Sequence, residues 1–204
     1  MKKLFLTSSF KDVVSIFEKL ELDFKGKTVT FIPTASLVEK VVFYVTAGKK
    51  ALEKLEMVVD ELEISTASSA EIKNKLAKND FIYITGGNTF YLLQELKRTG
   101  ADKLIVEQVE NGKLYIGESA GAIITAANIE YAKVMDSIKK APGLENYDAL
   151  NVVNFYTVPH CTNFPFKKAA EKIIDTYSEK LSLLPISNNQ AILINGDKHV
   201  VKTI

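Results

Sequence analysis

The sequence predicts an α/β protein in which a doubly wound, mostly parallel sheet carries helices on both faces. Three observations lead there. Apolar strand-like runs alternate along the chain with segments of helical periodicity, the β-α-β order that needs right-handed crossovers between parallel strands. Glycines mark the points where strands give way to helices, at Gly86-Gly87 and at Gly117. Near the end, QAILINGDKHVVKTI reads as a C-terminal β-hairpin turning at Asn195-Gly196.

The elements follow in order. KLFLT is a first strand, and Val13, Ile16, Phe17 and Leu20 fall at helical spacing behind it. TVTFIP is a buried strand, residues 38–55 a long helix, and MVVDELEI another strand. Ser68 with Glu71 forms a capping box that opens a helix through Ala77. FIYIT ends at the glycine pair, with helices over residues 89–97 and 102–110. LYIG is the next strand and residues 120–127 the next helix. Residues 129–150 are irregular and polar, a connection long enough to suggest function. VVNFYTVP returns to strand, and residues 166–181 are helical.

Composition narrows the function classes. The 204 residues suit one domain spanning 1–204, and no repeat or linker divides them. A net charge of +1, with lysines and acids mixed, argues against nucleic acid and acidic membranes as partners. Lys11 and Asp12 cut the first apolar run too short for a signal peptide, and no run approaches the roughly 20 residues of a membrane span. The lone cysteine, Cys161, allows no internal disulfide and fits a reducing, cytoplasmic setting. It reads as a small buried residue. No Cys/His cluster has metal-ligand spacing, so neither metal nor cofactor is expected.

The chemistry concentrates at GESAG, residues 117–121. A serine at the carboxyl end of a parallel strand, between two glycines and before a helix, is either an N-cap or a nucleophile on a sharp elbow. A nucleophilic Ser119 needs a base. Of the two histidines, His160 ends a strand, whereas His199 lies in the terminal hairpin beside Asp197 and Lys198. A third group should orient the imidazole. Glu118, Glu130, Asp136, Glu145 and Asp148 are the nearby carboxylates, and Asp136 lies in the polar connection able to fold over the site. Backbone N–H groups of Gly87 and Ala120 are placed to form an oxyanion hole, and Asn88 to hold substrate by its amide. The Gly86-Gly87-Asn88 turn also admits a plain tight turn, or an anion site of a flavodoxin-like module, though it lacks the G-K-[ST] ending of a P-loop.

Together these residues resemble the peptidase E family, the α-aspartyl dipeptidases related to cyanophycinases. The likeness rests on ITGGNTFYLLQEL (84–96), LYIGESAGA (114–122), YDALNVV (147–153) and VPHCTN (158–163), and the strand-helix pattern extends it over nearly the whole chain. It implies a fold like that of class I glutamine amidotransferases. It also implies Ser119 as nucleophile, His160 as base and oxyanion donors at Gly87 and Ala120. Two departures stand out. Where those dipeptidases have a triad aspartate in T-N-D-M-P, direct alignment puts Val134, with Asp136 two residues on. Asp136, Glu130 or no third group then completes the site. The arginine-bearing insertion that holds a substrate aspartate is missing after Asn163, leaving Lys167 or Lys168 as substitutes. The expectation is a serine peptidase for dipeptides or other small amides, compatible with a homodimer. Its rival is a catalytically silent relative that binds a small peptide or amino acid.

Overall fold

The computed structural model describes residues 1–20 and 22–204. Strands β1 (Lys3–Thr7), β2 (Thr28–Ile32), β3 (Val58–Glu61), β4 (Phe81–Ile84) and β5 (Leu114–Glu118) alternate with α1 (Phe10–Glu18), α2 (Phe43–Lys54), α3 (Ser69–Lys78), α4 (Thr89–Thr99) and α5 (Ala101–Glu110). Then come α6 (Ala120–Ile123), β6 (Tyr156–Val158), α7 (Lys167–Tyr177), β7 (Leu183–Pro185), β8 (Gln190–Asn195) and β9 (Lys198–Thr203). The main sheet runs β3-β2-β4-β5-β1-β8-β9, and β6 pairs with β7 in a small sheet of its own. The first five strands are parallel, and the terminal hairpin adds antiparallel to β1.

The central strands are largely apolar because both of their faces are buried. Phe5, Phe31, Tyr83 and Ile116 point to the core under α1 and α2. Their neighbours Leu4, Leu6, Ile32, Ile82, Ile84 and Tyr115 point to the core under α3 to α7. On the first face Phe5, Phe10 and Phe17 meet edge to face, with centroids 5.0 to 6.0 Å apart. Burying one such ring stabilises the fold by about 1.5–3 kcal/mol. The parallel arrangement gathers the carboxyl ends of β1, β4 and β5 at one edge, where Ser8, Gly86 and Ser119 emerge.

Several expected boundaries move. The helix expected over 38–55 begins at Phe43. Thr34–Ser36 instead forms a 3-10 turn, and the Ala35 carbonyl accepts the Asn88 N–H at 2.8 Å. The helix expected over 120–127 ends at Ile123. Beyond it the Thr125 hydroxyl bonds back to the Ala122 carbonyl at 2.7 Å, and the Val152 N–H takes the Thr125 carbonyl at 2.9 Å. That second contact also shortens the strand expected over 152–159 to Tyr156–Val158. The helix of 166–181 narrows to Lys167–Tyr177. In the hairpin Asn195 pairs with Lys198, so Gly196-Asp197 makes the turn rather than Asn195-Gly196. Among the described residues no helix is long and apolar enough to cross a membrane.

Candidate active site

Ser119 leaves β5 with φ 50° and ψ −104°, a conformation a serine adopts only when its surroundings impose it. They do so on both sides. The Ser119 N–H donates to the Thr7 carbonyl at 2.8 Å, and its own carbonyl accepts the Ala122 and Ile123 N–H groups at 2.8 and 2.9 Å. Gly121 lets α6 lie on β4, since a Cβ there would stand 2.3 Å from the Ile84 carbonyl oxygen.

His160 also carries a positive φ, 59°, two residues past β6. Its N–H donates to the Ser8 hydroxyl at 2.9 Å, which in turn donates to the Ile186 carbonyl at 3.2 Å. Phe166 stacks on the ring at 5.0 Å. Nε2 lies 3.0 Å from the Ser119 hydroxyl, and Nδ1 lies 2.7 Å from the Asn188 Oδ1. An amide oxygen only accepts, so Nδ1 holds the proton and Nε2 presents its lone pair to the serine. Burial keeps the imidazole below its ordinary pKa and therefore neutral near pH 7.

Asn188 is the partner that the sequence reading missed. Its N–H is held by the Asn163 Oδ1 at 2.9 Å, which ties it to the segment carrying His160. The expected orienting acid, Asp136, does not touch His160. Its Oδ2 accepts the Thr89 N–H at 2.9 Å and the Thr89 hydroxyl at 2.6 Å, at the start of α4. Burial pushes this carboxyl up to about 6. Glu130 is likewise committed elsewhere, to Lys133 at 2.7 Å.

Gly87 and Ala120, the expected oxyanion donors, lie on either side of the elbow, after β4 and at the start of α6. Among the described residues neither N–H donates to a protein acceptor. Gly87 has φ 134°, and a Cβ there would stand 2.2 Å from the Ala35 carbonyl oxygen. Asn88, expected to hold substrate, does not line the pocket that holds Ser119. It is buried, its Oδ1 caps α4 at the Tyr91 N–H (3.0 Å), and its Nδ2 donates to the Ser137 carbonyl at 3.2 Å. In this turn Gly86 gives its N–H to Glu118 and Asn88 gives its own to Ala35, which leaves the Gly87 N–H as the one without a protein acceptor among the described residues.

Glu118, beside the serine, is 3% exposed. It accepts the Phe10 N–H and the Tyr83 hydroxyl, each at 2.9 Å, together with the Gly86 N–H. Burial nonetheless pushes its carboxyl up to about 7.

Gly87, Glu118, Ser119, Asp136, His160 and Asn188 share one pocket of about 460 Å³, whose apolar lining includes Val41, Phe43, Ile123, Met135, Phe164 and Phe166. Neither Lys167 nor Lys168 lines it, and Arg98 is bound to Glu95 at 2.6 Å. Lys11 is the one cation on its wall among the described residues, against Asp12, Glu39, Glu118 and Asp136. His199 lies elsewhere, packed on Phe155 with centroids 4.9 Å apart.

The chain matches the model of peptidase family S51 over residues 4–202. An uncharacterized peptidase of Listeria monocytogenes is 63% identical over 204 residues, the whole of both chains. An uncharacterized peptidase of Pasteurella multocida is 56% identical, with 99% of this chain and 98% of that one covered. Peptidase E of a Shewanella species is 34% identical over 134 residues, 66% of this chain and 53% of its own. Among solved structures, a Listeria monocytogenes protein provisionally described as peptidase E superposes with a TM-score of 0.97 at 62% identity, covering 100% of this chain and 99% of that one. A peptidase from an acI-B1 Actinobacterium, 21% identical, shares the fold with a TM-score of 0.76 over 100% of this chain and 88% of its own. The elbow serine, the histidine beside it and the match over nearly the whole length agree: this chain belongs to peptidase family S51 and is a serine-type peptidase.

Proposed function

We propose that the chain, working as one domain over residues 1–204, hydrolyses dipeptides or other small amides through an acyl-enzyme. Ser119 is the nucleophile, His160 the base, and Asn188 the group that orients the imidazole. The Ser119 Oγ bonds to the substrate carbonyl carbon as its proton passes to His160 Nε2. The carbonyl oxygen takes up the electron pair and is met by the Gly87 and Ala120 N–H groups. Collapse breaks the C–N bond, and the leaving amine takes the proton from Nε2. Water, deprotonated by the same nitrogen, then releases the acid.

The observation that carries this reading is the unbroken line from Ser119 through His160 to Asn188, with contacts of 3.0 and 2.7 Å. A single-cysteine chain of this kind fits a cytoplasmic setting. The test is labelling by a fluorophosphonate, located by mass spectrometry, alongside hydrolysis of a dipeptide panel. The expected result is one adduct on Ser119 and loss of both labelling and turnover in Ser119→Ala. Turnover that survives Ser119→Ala would refute the assignment.

A further inference from the structure

We infer that the pocket selects short peptides with a free N-terminal ammonium and an apolar first side chain, and that Asp136 holds the ammonium. This rests on the reading of Ser119 and His160 as the acylating pair.

The first ground is the unfinished coordination of Asp136. Oδ2 takes both Thr89 bonds, which lock the carboxylate onto the first residue of α4. Oδ1 accepts no hydrogen bond among the described residues, and Asp136 lines the catalytic pocket. An anionic oxygen held rigidly in a partly desolvated wall is completed by a cation that brings its own donors. The second ground is the balance of charge. Of the four carboxylates lining the pocket, Glu39 pairs with Lys140 at 2.7 Å, Asp12 lies 3.9 Å from Lys11, and Glu118 is buried on its own donors, so Asp136 is the one left without an ion-pair partner among the described residues. A lone carboxylate of this kind draws in an ammonium and repels an acidic side chain. No arginine is available as a fork for a substrate carboxylate, because Arg98 is spent on Glu95.

The covalent structure of a peptide supplies the third ground. The α-nitrogen is separated from the scissile carbonyl carbon by one atom, so a group that recognises it must share the pocket of the nucleophile, as Asp136 does. The first side chain leaves the same α-carbon. Met135, next in sequence to Asp136, and Ile123, at the end of α6, offer it an apolar wall, with Phe43 and Phe164 exposed at the mouth.

The experiment compares Leu-, Met-, Phe- and Asp-first dipeptides, each free and N-acetylated, on the wild type and on Asp136→Asn. Fluorophosphonate labelling of the wild type and Ser119→Ala runs in parallel. The wild type should favour the apolar first residues and the free amine, each by at least about tenfold in kcat/KM, the worth of one charge-assisted hydrogen bond or one well-buried side chain. Asp136→Asn should narrow the ratio between free and acetylated substrates. An equal loss on both forms would mean a structural role and overturn the assignment of Asp136. The wild-type ratio serves by itself if the variant does not fold: acetylated peptides cleaved as well as free ones, or a preference for aspartate, overturns the selectivity. Absence of Ser119 labelling in the wild type would instead remove the acylation reading beneath it.

Discussion

At Asn188 the imidazole meets an amide where an acid was expected, and the difference has chemical consequences. A neutral acceptor fixes the tautomer of His160 but contributes no charge to the imidazolium that the proposed acylation would form. Burial already disfavours that cation. Asn188→Asp should therefore raise the imidazole pKa and move the acid limb of the kcat/KM profile to higher pH. Asn188→Ala should cut kcat/KM by on the order of tenfold to a hundredfold, the cost of leaving the Nδ1–H unpaired. A pH profile that is unmoved in Asn188→Asp would separate Asn188 from the mechanism. The serine and the histidine were legible because each sits beside a strong local signal, a glycine elbow and a strand end. Asn188 had none: it lies in the polar run SNNQ, and it reaches the site only because β6 pairs with β7, three residues each, 27 positions apart in register. A search confined to carboxylates passes over it, although an amide oxygen is as good an acceptor for a ring N–H.

Among the elements, the long apolar strands and the helix starts other than that of α2 were readable in advance, and the short pieces were not. β1, β4 and β5 bury both faces along apolar runs, while β2 alternates Thr28 and Thr30 with Val29 and Phe31 and buries Thr30 as well. The Ser68 cap is as expected, its hydroxyl accepting the Glu71 N–H at 3.2 Å. By contrast α6 stops after four residues because the chain turns to satisfy carbonyls at Thr125 and Ala126, contacts made by Val152 and Asn151. Nothing local in residues 120–127 announces partners that far along the chain. The elbow joining β5 to α6 depends on one glycine in particular. In Gly121→Ala the new methyl would meet the backbone oxygen of Ile84, which cannot rotate away. We expect a loss of about 1–3 kcal/mol in urea unfolding, together with slower fluorophosphonate labelling as Ser119 is displaced. Wild-type stability in this variant would mean that α6 floats on β4 rather than being clamped to it.

For the molecule as a whole, Glu118 joins parts that are remote in sequence: the start of α1, the Tyr83 ring in β4, the glycine turn after it and the elbow at Ser119. Three donors hold it, yet burial dominates and its carboxyl stands at about 7 in place of an ordinary 4.5. Its folded pKa lies above the unfolded one, so between these values the native state binds more protons than the unfolded chain. The stability from this group is fully present below pH 4.5 and is lost as pH rises through about 7. The loss amounts to about 3 kcal/mol, a substantial share of the roughly 5–15 kcal/mol that holds a domain together. Asp136, raised to about 6 by the same cause, adds in the same direction. His160, lowered by burial, works oppositely, since its unfolded form binds the extra proton. Asp80, held below the ordinary range by the Thr28 N–H, acts only at more acid pH. Comparing wild type with Glu118→Gln at each pH cancels these other groups. Urea midpoints at pH 5 and pH 8 should show the variant gaining on the wild type as pH rises, because the amide has no proton to lose. A gap that stays constant across that range would mean that Glu118 is ionised throughout, with the donors from Phe10, Tyr83 and Gly86 outweighing its burial.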